Sequence, residues 1–210
     1  KASTVTPQPP ATCITPAHPC VAVPMTIVRT DAAPLRGFSV TVTLSGDLAL
    51  CPPNIVQGTY LNAVAGTHYE VVDNHDGSYT VDCAILGGTC GATAPTGTLF
   101  TVNVGSSAPT GTGAVTVTDV SLRDCDNATV EASAGLPTSI AIDNSPPAGI
   151  TALAASQVKT GNGGDGTTYI DVTWPTVEAG TTTHVYRADY GHYPEYDDLG
   201  GAVPTTTPPG

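Results

Sequence analysis

Gly37-Phe38-Ser39-Val40-Thr41-Val42-Thr43-Leu44 alternates without a break, with Phe38, Val40, Val42 and Leu44 on one side and Ser39, Thr41 and Thr43 on the other. Side chains of a strand point to opposite faces in turn, so this stretch predicts a strand with one buried and one solvated face. Residues 99–104 repeat the pattern with Phe100, Val102 and Val104 inward, and residues 114–118 do so with Val115 and Val117. Beyond them the apolar set becomes Val120 and Leu122, a slip of one residue near Thr118 and Asp119 that predicts a β-bulge. Asp73-Asn74-His75-Asp76-Gly77 separates two further alternating runs and predicts a hairpin whose turn tolerates positive φ. Residues 21–29, 55–60, 128–132 and 139–142 complete a series of short Thr- and Val-rich strands. No segment has helical periodicity, so the fold class is all-β.

Composition narrows the functions that such a chain can have. Its 210 residues carry 6 Lys and Arg against 18 Asp and Glu, a net charge of −12, with 11% charged residues and 40% hydrophobic ones. Nucleic acids and anionic membranes are unsuitable partners, because both need clustered cations to neutralise phosphate. No apolar run approaches the roughly 20 residues of a membrane-spanning helix. With no signal peptide before Lys1, the chain reads as a processed or excised portion of something larger.

Six cysteines, Cys13, Cys20, Cys51, Cys83, Cys90 and Cys125, lack C-x-x-C and Cys/His zinc spacing, which leaves disulfides as the expectation. Fifteen connectivities are open; closing the two short loops first pairs Cys13 with Cys20 and Cys83 with Cys90, and leaves Cys51 for Cys125. Disulfides place the chain in an oxidising compartment, extracellular or at the cell surface.

Asp143-Asn144-Ser145-Pro146-Pro147-Ala148-Gly149 interrupts the strands, since two prolines exclude a continuing central strand. The expected organisation is an extended N-terminal segment at 1–12, a β-sandwich at 13–143, a linker at 144–149 and a second domain at 150–210. Three strands are expected in the last, at 150–158, 167–174 and 183–190, with Ile170, Val172 and Trp174 inward.

Gly97-Thr98-Leu99-Phe100-Thr101-Val102-Asn103-Val104, followed by Gly113-Ala114-Val115-Thr116-Val117-Thr118-Asp119-Val120-Ser121-Leu122-Arg123-Asp124, resembles the two signature strands of bacterial extracellular cohesin-like modules. That resemblance covers about residues 13–143 and implies a nine-stranded jelly-roll β-sandwich. Its cysteines set the chain apart from cellulosomal cohesins, which are poor in them. Beyond Pro147, Ile170-Asp171-Val172-Thr173-Trp174 and His184-Val185-Tyr186-Arg187 resemble strands B and C of a fibronectin type III domain. Such a sandwich needs about 100 residues, so the second domain is expected to be incomplete, with edges open to strand addition.

Candidate sites are few. Asp124, Asp126 and Asn127 in one loop, and Asn162 and Asp165 in Gly161-Asn162-Gly163-Gly164-Asp165-Gly166, offer the oxygen ligands that calcium takes, though neither has EF-hand spacing and all are ordinary turn residues. Calcium is thus the one candidate cofactor, and none is required. Glu195, Asp197 and Asp198 form an acidic loop, and Tyr186, Tyr190, Tyr193 and Tyr196 suit a contact surface. Asn127-Ala128-Thr129 is an N-glycosylation sequon. The five histidines show no metal spacing, no G-x-S-x-G is present, and no catalytic residue is assigned.

The expected function is a non-enzymatic extracellular structural protein, a subunit or segment of a bacterial surface filament or surface assembly, self-associating partly by β-strand addition. The alternative is a cohesin-like binding or adhesion module that recognises a dockerin-like protein or a polysaccharide. A third reading is an accessory segment of a secreted hydrolase.

Overall fold

The computed structural model describes residues 2–31, 33–61, 66–87, 91–158, 169–177, 181–187 and 203–207. The chain divides into two compact units, Lys1–Ser145 and Pro146–Gly210.

In the first unit, sheet one has the order β10-β1-β2-β7-β4 and is made of β1 (Ser3–Pro7), β2 (Cys20–Val28), β4 (Ala49–Gln57), β7 (Thr96–Gly105) and β10 (Ala132–Ala134). Sheet two has the order β11-β8-β3-β6-β5 and is made of β3 (Leu35–Ser45), β5 (Thr67–Asp73), β6 (Ser78–Ile85), β8 (Thr110–Asp124) and β11 (Thr138–Asp143), with β9 (Thr129–Val130) on β8. Nine of these strands have five residues or more, and β9 and β10 have two and three. This is a jelly-roll β-sandwich.

The alternating residues close its core as expected. Val40, Val42, Phe100, Val102, Val104, Val115 and Leu122 are buried, and the rings of Phe38 and Phe100 stack across the two sheets at 6.1 Å. Each side chain placed in such a core contributes about 1.5–3 kcal/mol through removal from water. The bulge falls where the alternation slips: Thr41 pairs with Asp119 and Val42 with Val117, which leaves Thr118 unpaired. The hairpin between β5 and β6 turns through His75 (φ 61°) and Gly77 (φ 83°), and Asp73 Oδ1 and Asp76 Oδ1 accept the amides of His75 and Ser78.

Residues 1–12 are not a separate arm. Strand β1 lies parallel to β10 and antiparallel to β2, with Ser3 and Val5 fully buried. The Pro9-Pro10 pair just beyond it disguises an alternating pattern, Ser3, Val5 and Pro7 inward, that is too short to stand out alone.

The second unit contains β12 (Ala154–Val158) paired with β13 (Tyr169–Thr173), and β14 (Thr183–Arg187) paired with β15 (Val203–Thr207). Strand β15 lies in a Gly-, Pro- and Thr-rich tail that predicted none. Ile170 and Val172 are 66% and 40% exposed rather than inward, because among the described residues β12 and β13 form a two-stranded sheet with no layer over them.

Candidate functional site

The outward residues of sheet two form ordered rows across β8, β3, β6 and β5. Register places Arg123, Gly37, Ala84 and His68 in the first row, Ser121, Ser39, Asp82 and Glu70 in the second, and Asp119, Thr41, Thr80 and Val72 in the third. Side chains opposite one another in such rows lie about 5 Å apart and act as neighbours. Short hydroxyls dominate the middle, where Thr41 Oγ1 and Thr80 Oγ1 hydrogen-bond at 3.0 Å. The face is therefore flat and polar at its centre.

At the first row it becomes concave. A hollow of about 300 Å³ is bounded by Arg36, Ser39, His68, Asp82 and Arg123, over a floor that includes Gly37 and Ala84. The floor is low because β3 and β6 approach closely here: a Cβ on Gly37 would lie 3.1 Å from the Cys83 carbonyl oxygen.

Both guanidiniums are anchored by neutral acceptors. Arg36 Nε donates to the Ile85 carbonyl at 3.3 Å and Nη1 to that of Cys125 at 3.4 Å. Arg123 Nη1 donates to Thr129 Oγ1 at 2.8 Å and to the Asn127 carbonyl at 3.4 Å. Among the described residues neither arginine has a carboxylate partner. Opposite them, the exposed His68 Nε2 lies 3.5 Å from Glu70 Oε2.

Two polar clusters brace the sandwich. Between the sheets, Gln57 Nε2 donates to Thr67 Oγ1 at 3.2 Å and meets Cys83 Sγ at 3.5 Å, and Tyr69 Oη is buried without a partner among the described residues. Burial pushes the Cys83 thiol up to about 11 and raises the Tyr69 hydroxyl further. At the sandwich end, the buried Arg29 guanidinium binds Asp31, the carbonyls of Ala33 and Ala92, and Tyr60 Oη. Ser3 Oγ donates to Asp31 at 2.9 Å, which ties β1 to this cluster. The hydrogen bond from Arg29, assisted by that from Ser3, holds the Asp31 carboxyl below the usual carboxylate range.

The expected disulfide pairing is overturned. Cys20 is joined to Cys51, not to Cys13, and Cys13 is an exposed free thiol. Cys83 is a buried free thiol that faces inward on β6; Cys90 lies outside the described residues. Cys125 is disulfide-bonded, but not to Cys51. Loop length misleads here because the sheet brings residues 31 apart together while the alternation points Cys83 into the core.

Asp124 Oδ1 accepts the amides of Asp126 at 3.0 Å and Ala128 at 2.7 Å, and Asn127 takes a φ of 62°. The carboxylate of Asp124 thus closes the turn that carries Asp126 and Asn127. Among the described residues no three His, Cys, Asp or Glu side chains converge as a metal site. Asn127 is exposed at the rim of the hollow. Tyr186 lies in β14, while Asn162, Asp165, Tyr190, Tyr193 and Tyr196 fall outside the described residues. Sequence reasoning missed Arg36, His68, Asp82 and Arg123 as a group. Their alternation marks them as outward, but only the strand register assembles them.

No protein-family model matches the chain, and the comparison with curated proteins finds no match. Solved structures do. The fold is similar to that of a non-cellulosomal cohesin from the hyperthermophilic archaeon Archaeoglobus fulgidus (TM-score 0.50, 17% identity, 68% of this chain and 91% of that one). It is similar to the seventh ScaB type I cohesin from Pseudobacteroides cellulosolvens (TM-score 0.53, 13% identity, 70% and 95%). A chain of a type I cohesin–dockerin complex from Clostridium thermocellum also matches (TM-score 0.52, 12% identity, 68% and 99%). The cohesin fold is common to all three.

Proposed function

We infer that this chain is an exported, non-enzymatic binding module that takes a protein partner, dockerin-like in kind, on the outer face of sheet two. The observation that carries the reading is the register of β8, β3, β6 and β5. It presents a flat field of short hydroxyls with charged residues in fixed rows, on a fold similar to that of a cohesin solved with a dockerin. A protein surface needs about 800 Å² per partner for a stable complex, and a four-strand face is of suitable size. A disulfide, with Cys125 in another, supports export to an oxidising compartment.

The test is biolayer interferometry with purified type I and type II dockerins against the full chain. Thr41→Arg together with Thr80→Arg should abolish binding, and Ala22→Arg on the opposite sheet should leave it unchanged. Equal loss in both variants, or binding by neither dockerin, contradicts the reading.

A second reading is assembly of copies into a surface filament by strand addition. It is favoured by the two-stranded β12–β13 sheet with its exposed Ile170 and Val172, since such an edge and face invite pairing. Strand β1 is a poor donor in that scheme, being paired on both sides within its own sheet.

A further inference from the structure

We propose that the hollow at the first row receives an acidic side chain of the partner, held between the guanidiniums of Arg36 and Arg123. This rests on the binding face inferred above and specifies the chemistry at one end of it. The full chain has 18 Asp and Glu against 6 Lys and Arg, so an arginine that meets no carboxylate is unexpected, and here two of them line one cavity. Each guanidinium is already oriented by hydrogen bonds to neutral oxygens, which fixes its direction without neutralising its charge. Each keeps its Nη2 group without a partner among the described residues. A guanidinium held this way forms charge-assisted hydrogen bonds to a carboxylate at reduced entropic cost.

The second row, whose Asp82 also borders the hollow, adds a place for a basic residue of the partner. Asp82, half-buried on β6, makes no hydrogen bond or ion pair among the described residues, and Glu70 stands beside it on β5. Two residues along a strand span about 6.8 Å. Four residues along a helix span about 6 Å. A helix lying along β3 with an acidic residue over Arg36 and Arg123, and a basic residue four positions on over Asp82, satisfies both rows. No Phe, Tyr or Trp ring is exposed in the hollow to stack on a sugar, Phe38 being 4% exposed and His68 the one ring open there, which favours a peptide carboxylate over a uronate.

The experiment uses the full chain labelled with ¹⁵N-arginine. Two blocked helical peptides serve as probes, one with Glu at position i and Lys at i+4 and one with Gln in place of the Glu; digalacturonate is the third probe. The Glu peptide should shift the Nε–Hε signals of Arg36 and Arg123 and bind at least about tenfold tighter than the Gln peptide. That preference should vanish in Arg123→Gln and in Arg36→Gln with Arg123→Gln, with core methyl signals unchanged. Equal binding of the Glu and Gln peptides, or shifts confined to other residues, overturns the proposal. So does digalacturonate alone moving the arginine signals, which would assign the hollow to an acidic glycan. Dockerin affinity that survives Arg123→Gln but not the Thr41 and Thr80 substitutions would remove this proposal and leave the binding face standing.

Discussion

Cys20 and Cys51 are joined across the end of β7, their Cα atoms 6.2 Å apart, and Gly105 lies between them. Gly105 pairs with Cys20 on one side and Ala49 on the other, and a Cβ there would stand 3.6 Å from that of Cys51 and 2.6 Å from the Pro19 carbonyl oxygen. The bridge ties β2 to β4 over a strand that has no side chain at the crossing. Cys20→Ser with Cys51→Ser should lower the unfolding free energy by roughly 3–4 kcal/mol, as expected for a closed loop of this length. Urea titration checks it, and an unchanged midpoint would mean that the bridge is absent in solution. Gly105→Ala should cost about 1–3 kcal/mol through the backbone clash, with the bridge intact.

The two thiols that are free among the described residues should differ in reactivity. Cys13 is exposed and should be alkylated in the native protein within minutes at pH 8, whereas Cys83 should react only on unfolding. Burial raises Cys83 above its unfolded value, so its contribution to stability is present below pH 9 and is lost as pH rises towards about 11. Cys83→Ala should flatten part of that alkaline loss, as followed by thermal melts between pH 8 and 11. Native labelling of Cys83 at pH 8 would contradict its placement between the sheets.

Acid stability should depend on Asp31. Its carboxyl is held below the unfolded value, so the pair with Arg29 stabilises the fold above the ordinary carboxylate range and loses this contribution as pH falls through the lowered value. Asp31→Asn should therefore reduce stability at pH 7 and shrink the difference between pH 7 and pH 3. The cost at pH 7 should be about 1.5–3 kcal/mol, the range for a hydrogen bond to a charged group and short of a fully buried pair, because Arg29 is buried while the Asp31 side chain is 35% exposed. Parallel acid titrations of variant and parent would refute this.

Removing residues 1–8 should destabilise the first unit rather than free an edge harmlessly. Val5 alone contributes about 1.5–3 kcal/mol through burial, and the deletion also removes the pairing with β2 and β10 and the Ser3–Asp31 hydrogen bond. A truncated chain with an unaltered melting temperature would show that β1 is dispensable.

Much of this fold is legible in the order of apolar residues. Phe38, Val40 and Val42 on one strand, and Phe100, Val102 and Val104 on another, announce the two central layers, and the slip at Thr118 locates the bulge. The same alternation fails where pairing partners decide burial, as for Ile170, or where a short strand such as β1 is masked by prolines. Disulfide partners are set by sheet order, which local spacing does not encode, so Cys20 meets Cys51 rather than its neighbour Cys13. The binding face is half-visible: Ser39, Thr41 and Thr43 are outward from the pattern alone, while Arg123, Asp82 and His68 join them only through the register of four strands.

Sedimentation velocity of the purified chain, alone and with a dockerin, tests the central claim most directly. A binding module should sediment as a monomer by itself, shift to a one-to-one complex with the dockerin, and fail to shift when Thr41 and Thr80 are both arginine. Polymers that form without any partner and persist in that variant would contradict it and favour assembly through the second unit.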